Sequence, residues 1–189
     1  MSLNTPITSI QQLVNELDNA ADEEAYRALV KRLDLSIEEY LPYAHFAADQ
    51  YTRNCIARSD DYELLLLCWD KDQDTPIHCH NNQECWVYVV KGSFVEQRFV
   101  ESEEADQAIE LSESVHLEKE EVSYMNDDMG FHLLANTNSQ GKSISLHLYI
   151  NPIDSCQVWD ENAETFKRKD LDYYSFEGKV LQEDEVERQ

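Results

Sequence analysis

The chain has 189 residues, and its 15 Lys plus Arg stand against 39 Asp plus Glu for a formal net charge of −24. That balance argues against a nucleic-acid partner, whose counterions only a basic surface displaces, and equally against an anionic membrane face. The four glycines, Gly92, Gly130, Gly141 and Gly178, are scattered, which excludes the clustered glycines of a dinucleotide fingerprint or a phosphate loop.

The N-terminus, Met1-Ser2-Leu3-Asn4-Thr5-Pro6, lacks a basic region followed by an apolar one. The chain contains no apolar run long enough to span a bilayer. A soluble, cytoplasmic protein is expected, and a monomer. The five cysteines (Cys55, Cys68, Cys79, Cys85, Cys156) are an odd number without paired CxxC motifs, so they read as reduced thiols, most of them buried.

Helices are expected first. Ile10, Leu13, Val14 and Leu17 follow the i, i+3, i+4, i+7 rule, with Ser9 and Gln12 in a capping-box pattern ahead of them. Tyr26, Leu29, Val30 and Leu33 repeat the spacing. Ser36 and Glu39 offer a second capping box, with Pro42 breaking or restarting that helix. From Tyr62 the pattern changes. Leu64-Leu65-Leu66-Leu67-Cys68-Trp69 reads as a strand buried on both faces, and 85–90, 94–100 and 143–150 are rich in aromatic and β-branched residues. Residues 101–121 hold nine acidic residues and read as a solvated hairpin or loop. The tail Glu183-Asp184-Glu185-Val186-Glu187 reads as frayed. The expected architecture is one mainly β domain, an antiparallel sandwich or barrel with helices packed outside. It divides into a helical part over about 1–58, a barrel over about 62–176 and an acidic tail over 177–189.

The histidines carry the chemistry. His78 and His80 form an H-x-H pair, and on an extended chain residues i and i+2 point to the same side. His132 lies in Gly130-Phe131-His132-Leu133-Leu134-Ala135-Asn136, on another expected strand. H-x-H followed downstream by H-x-x-x-N resembles the two-part signature of the cupin, a small antiparallel jelly-roll barrel in which three imidazoles meet on a metal. Glu84, favoured by parity from His80, would suit a three-His, one-Glu site, and Cys85 is the alternative inward-facing residue if the turn-like Asn81-Asn82-Gln83 resets that parity; the choice stays open. In Ser145-Leu146-His147-Leu148-Tyr149 a hydroxyl, an imidazole and a phenol share one strand face, so a Ser–His–Tyr relay is expected to orient the phenol.

Taken together, four places resemble the cysteine dioxygenases, cupin-fold non-haem iron thiol dioxygenases. These are Tyr51-Thr52-Arg53-Asn54, the His78/His80 pair with Cys85, His132, and Ser145 to Tyr149 followed by Asp154-Ser155-Cys156. The resemblance implies that His78, His80 and His132 ligate Fe(II) with no carboxylate, and that the site is open to substrate thiolate, amine and dioxygen. It implies that Arg53 grips the substrate carboxylate and that Tyr51 and Tyr149 line the pocket. Ser145 and His147 would hold the Tyr149 hydroxyl, and Cys85 with Tyr149 would form a thioether crosslink. The implied reaction, part of cysteine catabolism, oxidises L-cysteine with dioxygen to cysteine sulfinic acid. This chain departs from the family in Ile150-Asn151-Pro152, where many members carry Ser-Pro-Pro, and in Glu84 beside Cys85.

A dioxygenase of another small thiol such as 3-mercaptopropionate is the nearest alternative. Arg53 argues against it, because the resembling mercaptopropionate enzymes generally use a shorter, neutral side chain there. A non-enzymatic metal-binding cupin, or an isomerase using Glu84 as fourth ligand, belongs to a different class.

Overall fold

A computed structural model describes residues 5–102 and 108–181. The frayed-tail expectation for Glu183 to Glu187 lies outside the described residues.

The helices begin where the capping residues place them. In α1 (Ile10–Leu17) the Ser9 hydroxyl accepts from the Gln12 amide at 3.2 Å. The Gln12 side chain, however, accepts from Thr8 N, one residue before the cap. In α2 (Glu23–Val30) the Asp22 carboxylate accepts from Ala25 N. That helix stops short of Leu33, which instead forms a bridge with Ile7. Ahead of α3 (Ile37–Tyr40), Ser36 makes no side-chain cap. Glu39 accepts from Ile10 N at 3.1 Å and so caps α1 from across the fold. Pro42 sits in the 3₁₀ turn Leu41–Tyr43 that follows.

Among the described residues twelve strands follow: β1 (Thr52–Arg58), β2 (Tyr62–Trp69), β3 (Glu84–Lys91), β4 (Phe94–Glu101), β5 (Ile109–Leu117), β6 (Val122–Met125), β7 (Phe131–Asn136), β8 (Ser143–Ile150), β9 (Ser155–Asp160), β10 (Thr165–Asp170), β11 (Ser175–Phe176) and β12 (Lys179–Val180). Strand β1 corrects the expected helical part, which ends at Tyr43 and not near residue 58. The reason is that Thr52, Asn54, Cys55 and Ile56 are buried where the segment pairs antiparallel with β2, with a bulge between Cys55 and Ala57 that brings both Ile56 and Ala57 against the helix-side core.

The large sheet runs β12-β11-β1-β2-β8-β3-β6, facing a three-stranded sheet β5-β4-β7 and the hairpin β9-β10. Residues 74–80 bridge the gap between β7 and β9 through bridges at Asp74 and His78. This two-layer arrangement is the cupin jelly roll. The acidic stretch beyond Glu101 contributes β5, an outer strand on β4 whose side chains largely face solvent.

The all-buried β2 is explained by its two neighbours. Leu64, Leu66 and Cys68 pack under the helices against Ile10, Leu13, Leu17 and Leu29. Leu65, Leu67 and Trp69 face the barrel interior with Cys85, Val87, Phe94 and Leu134. The helices therefore cover the outer face of the large sheet, and the inner face is left to build a site. No described helix is long and apolar enough to cross a membrane.

Candidate metal centre

The backbone brings His78 and His132 face to face. His78 N donates to His132 O at 2.9 Å, and His132 N returns the bond to His78 O at 3.0 Å. On the other side Cys79 N donates to Gln157 O and Trp159 N to Ile77 O, so the H-x-H segment is clamped between two strands. Gly130 leads the chain into β7 at φ +96°, where a Cβ would lie 2.2 Å from the Phe99 carbonyl oxygen. Only glycine permits that approach, and it delivers His132 in register with Arg98.

His80 enters from the turn that follows. Asn81 and Asn82 both take left-handed backbone angles (φ 52° and 62°), and Gln83 N closes the turn on His80 O. Asp127 clasps it, accepting from His80 N at 2.6 Å and from Asn82 N at 2.7 Å. Two successive left-handed residues reset the alternation of sides, which settles the choice between Glu84 and Cys85. Cys85 is fully buried in the barrel interior. Glu84 is half-buried on the opposite face, where burial and the Glu23 carboxylate of α2 raise its pKa. A fourth carboxylate ligand from Glu84 is thereby overturned, and with it the isomerase reading.

The three imidazoles converge, with a ligating nitrogen from each lying within 4.8 Å of the others. His78 Nδ1 is engaged by the Pro76 carbonyl at 2.9 Å and His132 Nδ1 by Glu96 at 2.8 Å, so both present Nε2. His80 Nε2 faces His132 Nε2 at 3.0 Å, and His80 Nδ1 has no partner. Burial, reinforced by the neighbouring His132, lowers the His78 pKa to about 3 and drives that of His80 well below its usual value. Neutral imidazoles with lone pairs aimed at one point fit a divalent transition metal. Glu96 orients the set from behind. It is fully buried and also accepts from Ser123 Oγ at 2.6 Å and Arg98 at 2.9 Å. Burial pushes its carboxyl up, but the hydrogen bonds from His132 and Ser123 and the charge of Arg98 hold it at about 2.

The rest of the inner face gathers around this centre. Tyr149 stands edge-on to His80, ring centroids 5.7 Å apart, and lies directly opposite Cys85 in the β8–β3 register. Burial raises both groups: the Cys85 thiol goes up despite a hydrogen bond from Tyr149 that lowers it, and the Tyr149 phenol goes up with the neighbouring Cys85 adding to the shift. Trp69 Nε1 donates to Ser145 Oγ at 2.9 Å, and Ser145 Oγ meets His147 Nε2 at 2.8 Å. Burial keeps His147 neutral, with its pKa at about 3. Donation from Ser145 then leaves the imidazole proton on Nδ1, which lies 3.9 Å from Cys85 Sγ. The relay thus runs from Trp69 to the cysteine sulfur, which in turn hydrogen-bonds Tyr149, so it reaches the phenol through Cys85 and not directly from His147 as expected. Residues i and i+2 on one strand face stand side by side, and the His147 and Tyr149 rings accordingly lie parallel with centroids 6.3 Å apart.

Arg53 projects from β1 into the same cleft. Its donors reach Glu63 Oε2 and the Asp172 carbonyl at 3.4 Å and the Ile153 carbonyl at 3.5 Å, and its guanidinium lies 5.4 Å over the Tyr173 ring. Tyr51 stacks on Trp69 with centroids 4.7 Å apart, and burial raises its phenol.

The profile of the family described as "Cysteine dioxygenase type I" matches residues 1–162. The chain belongs to the cysteine dioxygenase type I family. The human "Cysteine dioxygenase type 1" is 28% identical over 161 residues, covering 82% of this chain and 80% of that one. The Bos taurus protein of the same name is 29% identical over 142 residues, covering 74% and 70%. A double-stranded β-helix protein from Klebsiella pneumoniae superposes with a TM-score of 0.45 at 12% identity, over 72% of this chain and 96% of that one.

Every residue singled out for the site of a cysteine dioxygenase reaches the inner face. His78, His132, His147, Tyr149, Tyr51 and Arg53 line one cleft of about 40 Å³, which shares Tyr51, Arg53, Lys169 and Leu171 with an outer cleft of about 200 Å³. A larger cleft of about 290 Å³, lined by Arg58, Asp154 and Tyr173, contains no histidine and lies beyond Arg53. Asn136, the last residue of the H-x-x-x-N motif, ties Asp70 O to Gly141 O and has a structural part only. Asn151 takes φ +59°, a left-handed angle that asparagine tolerates and proline cannot reach. The departure from Ser-Pro-Pro is therefore a different turn and not a neutral exchange. Sequence reasoning missed Glu96, Asp127, Glu63 and Tyr173. Two of these carried a signal, because Glu63 shares parity with Leu65 and Leu67, and Glu96 with Phe94.

Proposed function

We propose that this thiol dioxygenase-like chain is a cysteine dioxygenase, converting L-cysteine and dioxygen to cysteine sulfinic acid with Fe(II) at His78, His80 and His132. The observation that carries this reading is a centre of three converging imidazoles, with no carboxylate among the described residues in the cluster, beside the half-buried Arg53. Fe(II) held by His78, His80 and His132 would bring a positive charge that favours a substrate thiolate and would supply the redox chemistry for reaction with dioxygen.

The chain's own residues do the positioning. Arg53 binds the amino-acid carboxylate, for which a planar fork of donors is better suited than an ammonium. Stacked Tyr51 and Trp69 wall the cleft against water. Tyr149, with its proton held firmly by burial, donates a hydrogen bond toward the reacting atoms beside His80. Glu96 and Asp127 fix His132 and His80. The five described cysteines are all free thiols, which suits a reducing cytoplasm.

Oxygen uptake by iron-loaded protein tests the reading. One dioxygen consumed per cysteine, with slower uptake on 3-mercaptopropionate and cysteamine, is expected. Preference for 3-mercaptopropionate would move the assignment to that thiol, and no uptake on any thiol, or equal uptake with zinc, would reduce the chain to a metal-binding cupin.

Cys85 and Tyr149 face each other across adjacent strands. Joining the sulfur to the phenol ring forms one C–S bond and removes two hydrogens, with dioxygen as oxidant. Intact mass after turnover is expected to show a species lighter by two hydrogens, absent from Cys85→Ser. An unchanged mass in the active wild type would remove the crosslink.

A further inference from the structure

One cation at the cleft mouth has no part in holding the metal or the substrate carboxylate. In the β9–β10 hairpin Lys169 stands opposite Cys156, and Lys167 opposite Val158. Cys156 and Val158 both line the cleft of the three histidines, so strand alternation puts Lys167 and Lys169 on the cleft side of β10. The neighbouring cations are already paired. Lys167 is held by Asp160, and Arg168 by Asp170 at 3.1 Å. Lys169 forms no ion pair among the described residues, and it lines both the inner cleft and the outer one.

Among the described residues, Arg53 and Lys169 are the only side chains lining the inner cleft that carry a permanent charge. Their situations differ. Arg53 faces the buried Glu63 carboxylate, which balances its charge at longer range. Lys169 has no such counter-ion at the inner cleft. Asp170 and Asp172 line the outer cleft only, and Asp170 is taken by Arg168. The lysine's field reaches the interior. Burial pushes the Cys156 thiol up to about 11, while Arg53 and Lys169 both pull it the other way. On a chain of net charge −24 the surface as a whole disfavours an approaching anion, so an unpaired cation at the mouth carries weight. An exposed charge about 10 Å from a ligand charge changes binding by about threefold at low ionic strength, an effect that salt removes.

We propose that Lys169 is a specificity-determining residue at the mouth of the cleft, its unpaired charge favouring thiols that carry a carboxylate over those that do not. The proposal rests on the thiol dioxygenase reading, with the thiol held at the metal as thiolate and any amine unprotonated. In that state cysteine and 3-mercaptopropionate each bring two negative charges into the cleft, and cysteamine brings one. Lys169 therefore strengthens the two carboxylates alike and cysteamine less. It acts through its charge alone, unlike Arg53, whose planar fork contacts the carboxylate.

Dissociation constants of the three thiols, titrated into iron-loaded protein without dioxygen, test this, together with KM and kcat measured with it. In Lys169→Gln at about 0.01 M salt, binding of cysteine and 3-mercaptopropionate is expected to weaken by about tenfold and that of cysteamine by about threefold, with kcat unchanged. At about 1 M salt variant and wild type are expected to agree within about twofold. Lys169→Arg keeps the charge and is expected to behave as wild type. Lys119→Gln changes the net charge equally but lines neither cleft, and is expected to change nothing. Lys169 is exposed, so its substitution leaves the fold intact. No change in Lys169→Gln, an equal loss for all three thiols, a loss that persists at high salt, or the same loss in Lys119→Gln would overturn the proposal. Failure of wild type to consume dioxygen with any thiol would instead sink the dioxygenase reading, so the two failures are distinct.

Discussion

Replacing His132 by alanine is expected to give a folded protein that retains less than about a tenth of an equivalent of iron and takes up no oxygen. The argument begins with ligand number. Three imidazoles supply every protein donor to the centre among the described residues, so the variant keeps only two. Folding is expected to survive because the backbone bonds between His78 and His132 do not need the ring. Glu96, deprived of His132, still has Ser123 and Arg98 and is not left as an unpaired buried charge. Glu96→Gln is the graded companion. It preserves shape but weakens the acceptor for His132 Nδ1, and such a change behind a ligand lowers metal affinity by about 10- to 100-fold. Metal content after gel filtration, with far-ultraviolet circular dichroism on the same samples, reads both. Stoichiometric iron in His132→Ala would remove that residue from the ligand set.

The legible parts of this molecule are those that local rules control. The doubly buried run at Leu64 to Trp69 and the shared face of Ser145, His147 and Tyr149 follow from a period of two, and the structure keeps both. What sequence left open was decided by backbone that breaks the period. Whether Glu84 or Cys85 points inward depends on two left-handed asparagines, and asparagine permits that conformation without requiring it. The relay from Ser145 was legible as a set of residues but not in its route, because Cys85 arrives from another strand and comes between His147 and the Tyr149 phenol. Glu39 shows the same effect at a helix: its spacing from Ser36 suggested a local cap, whereas packing gives the carboxylate to Ile10 of a distant helix. Glu63 and Glu96 were the hardest to see. Each sits within a stretch read for its apolar character, and the partners that make burial tolerable, Arg53 with Arg58 and Arg98 with His132, are assembled only by sheet pairing.

Arg53→Ala is expected to cut kcat/KM for cysteine and 3-mercaptopropionate by about 10- to 100-fold, chiefly through KM, while changing cysteamine by less than about threefold. The magnitude is that of losing a charge-assisted hydrogen-bonded pair in a cleft largely closed to water. The selectivity follows because cysteamine lacks the group that Arg53 is proposed to hold. The main risk to the experiment is structural, since Arg53 is one partner of a buried carboxylate. Glu63 retains Arg58 and the Tyr173 hydroxyl, however, so the variant does not strand a lone buried charge. Arg53→Lys provides the control. It restores the charge but not the planar fork, and is expected to recover part of the loss for both carboxylates while leaving cysteamine unmoved. Steady-state oxygen uptake on the three thiols, with thermal melts to confirm folding, provides the comparison. A fall of the same size for cysteamine would mean that the arginine shapes the cleft generally and does not receive the carboxylate.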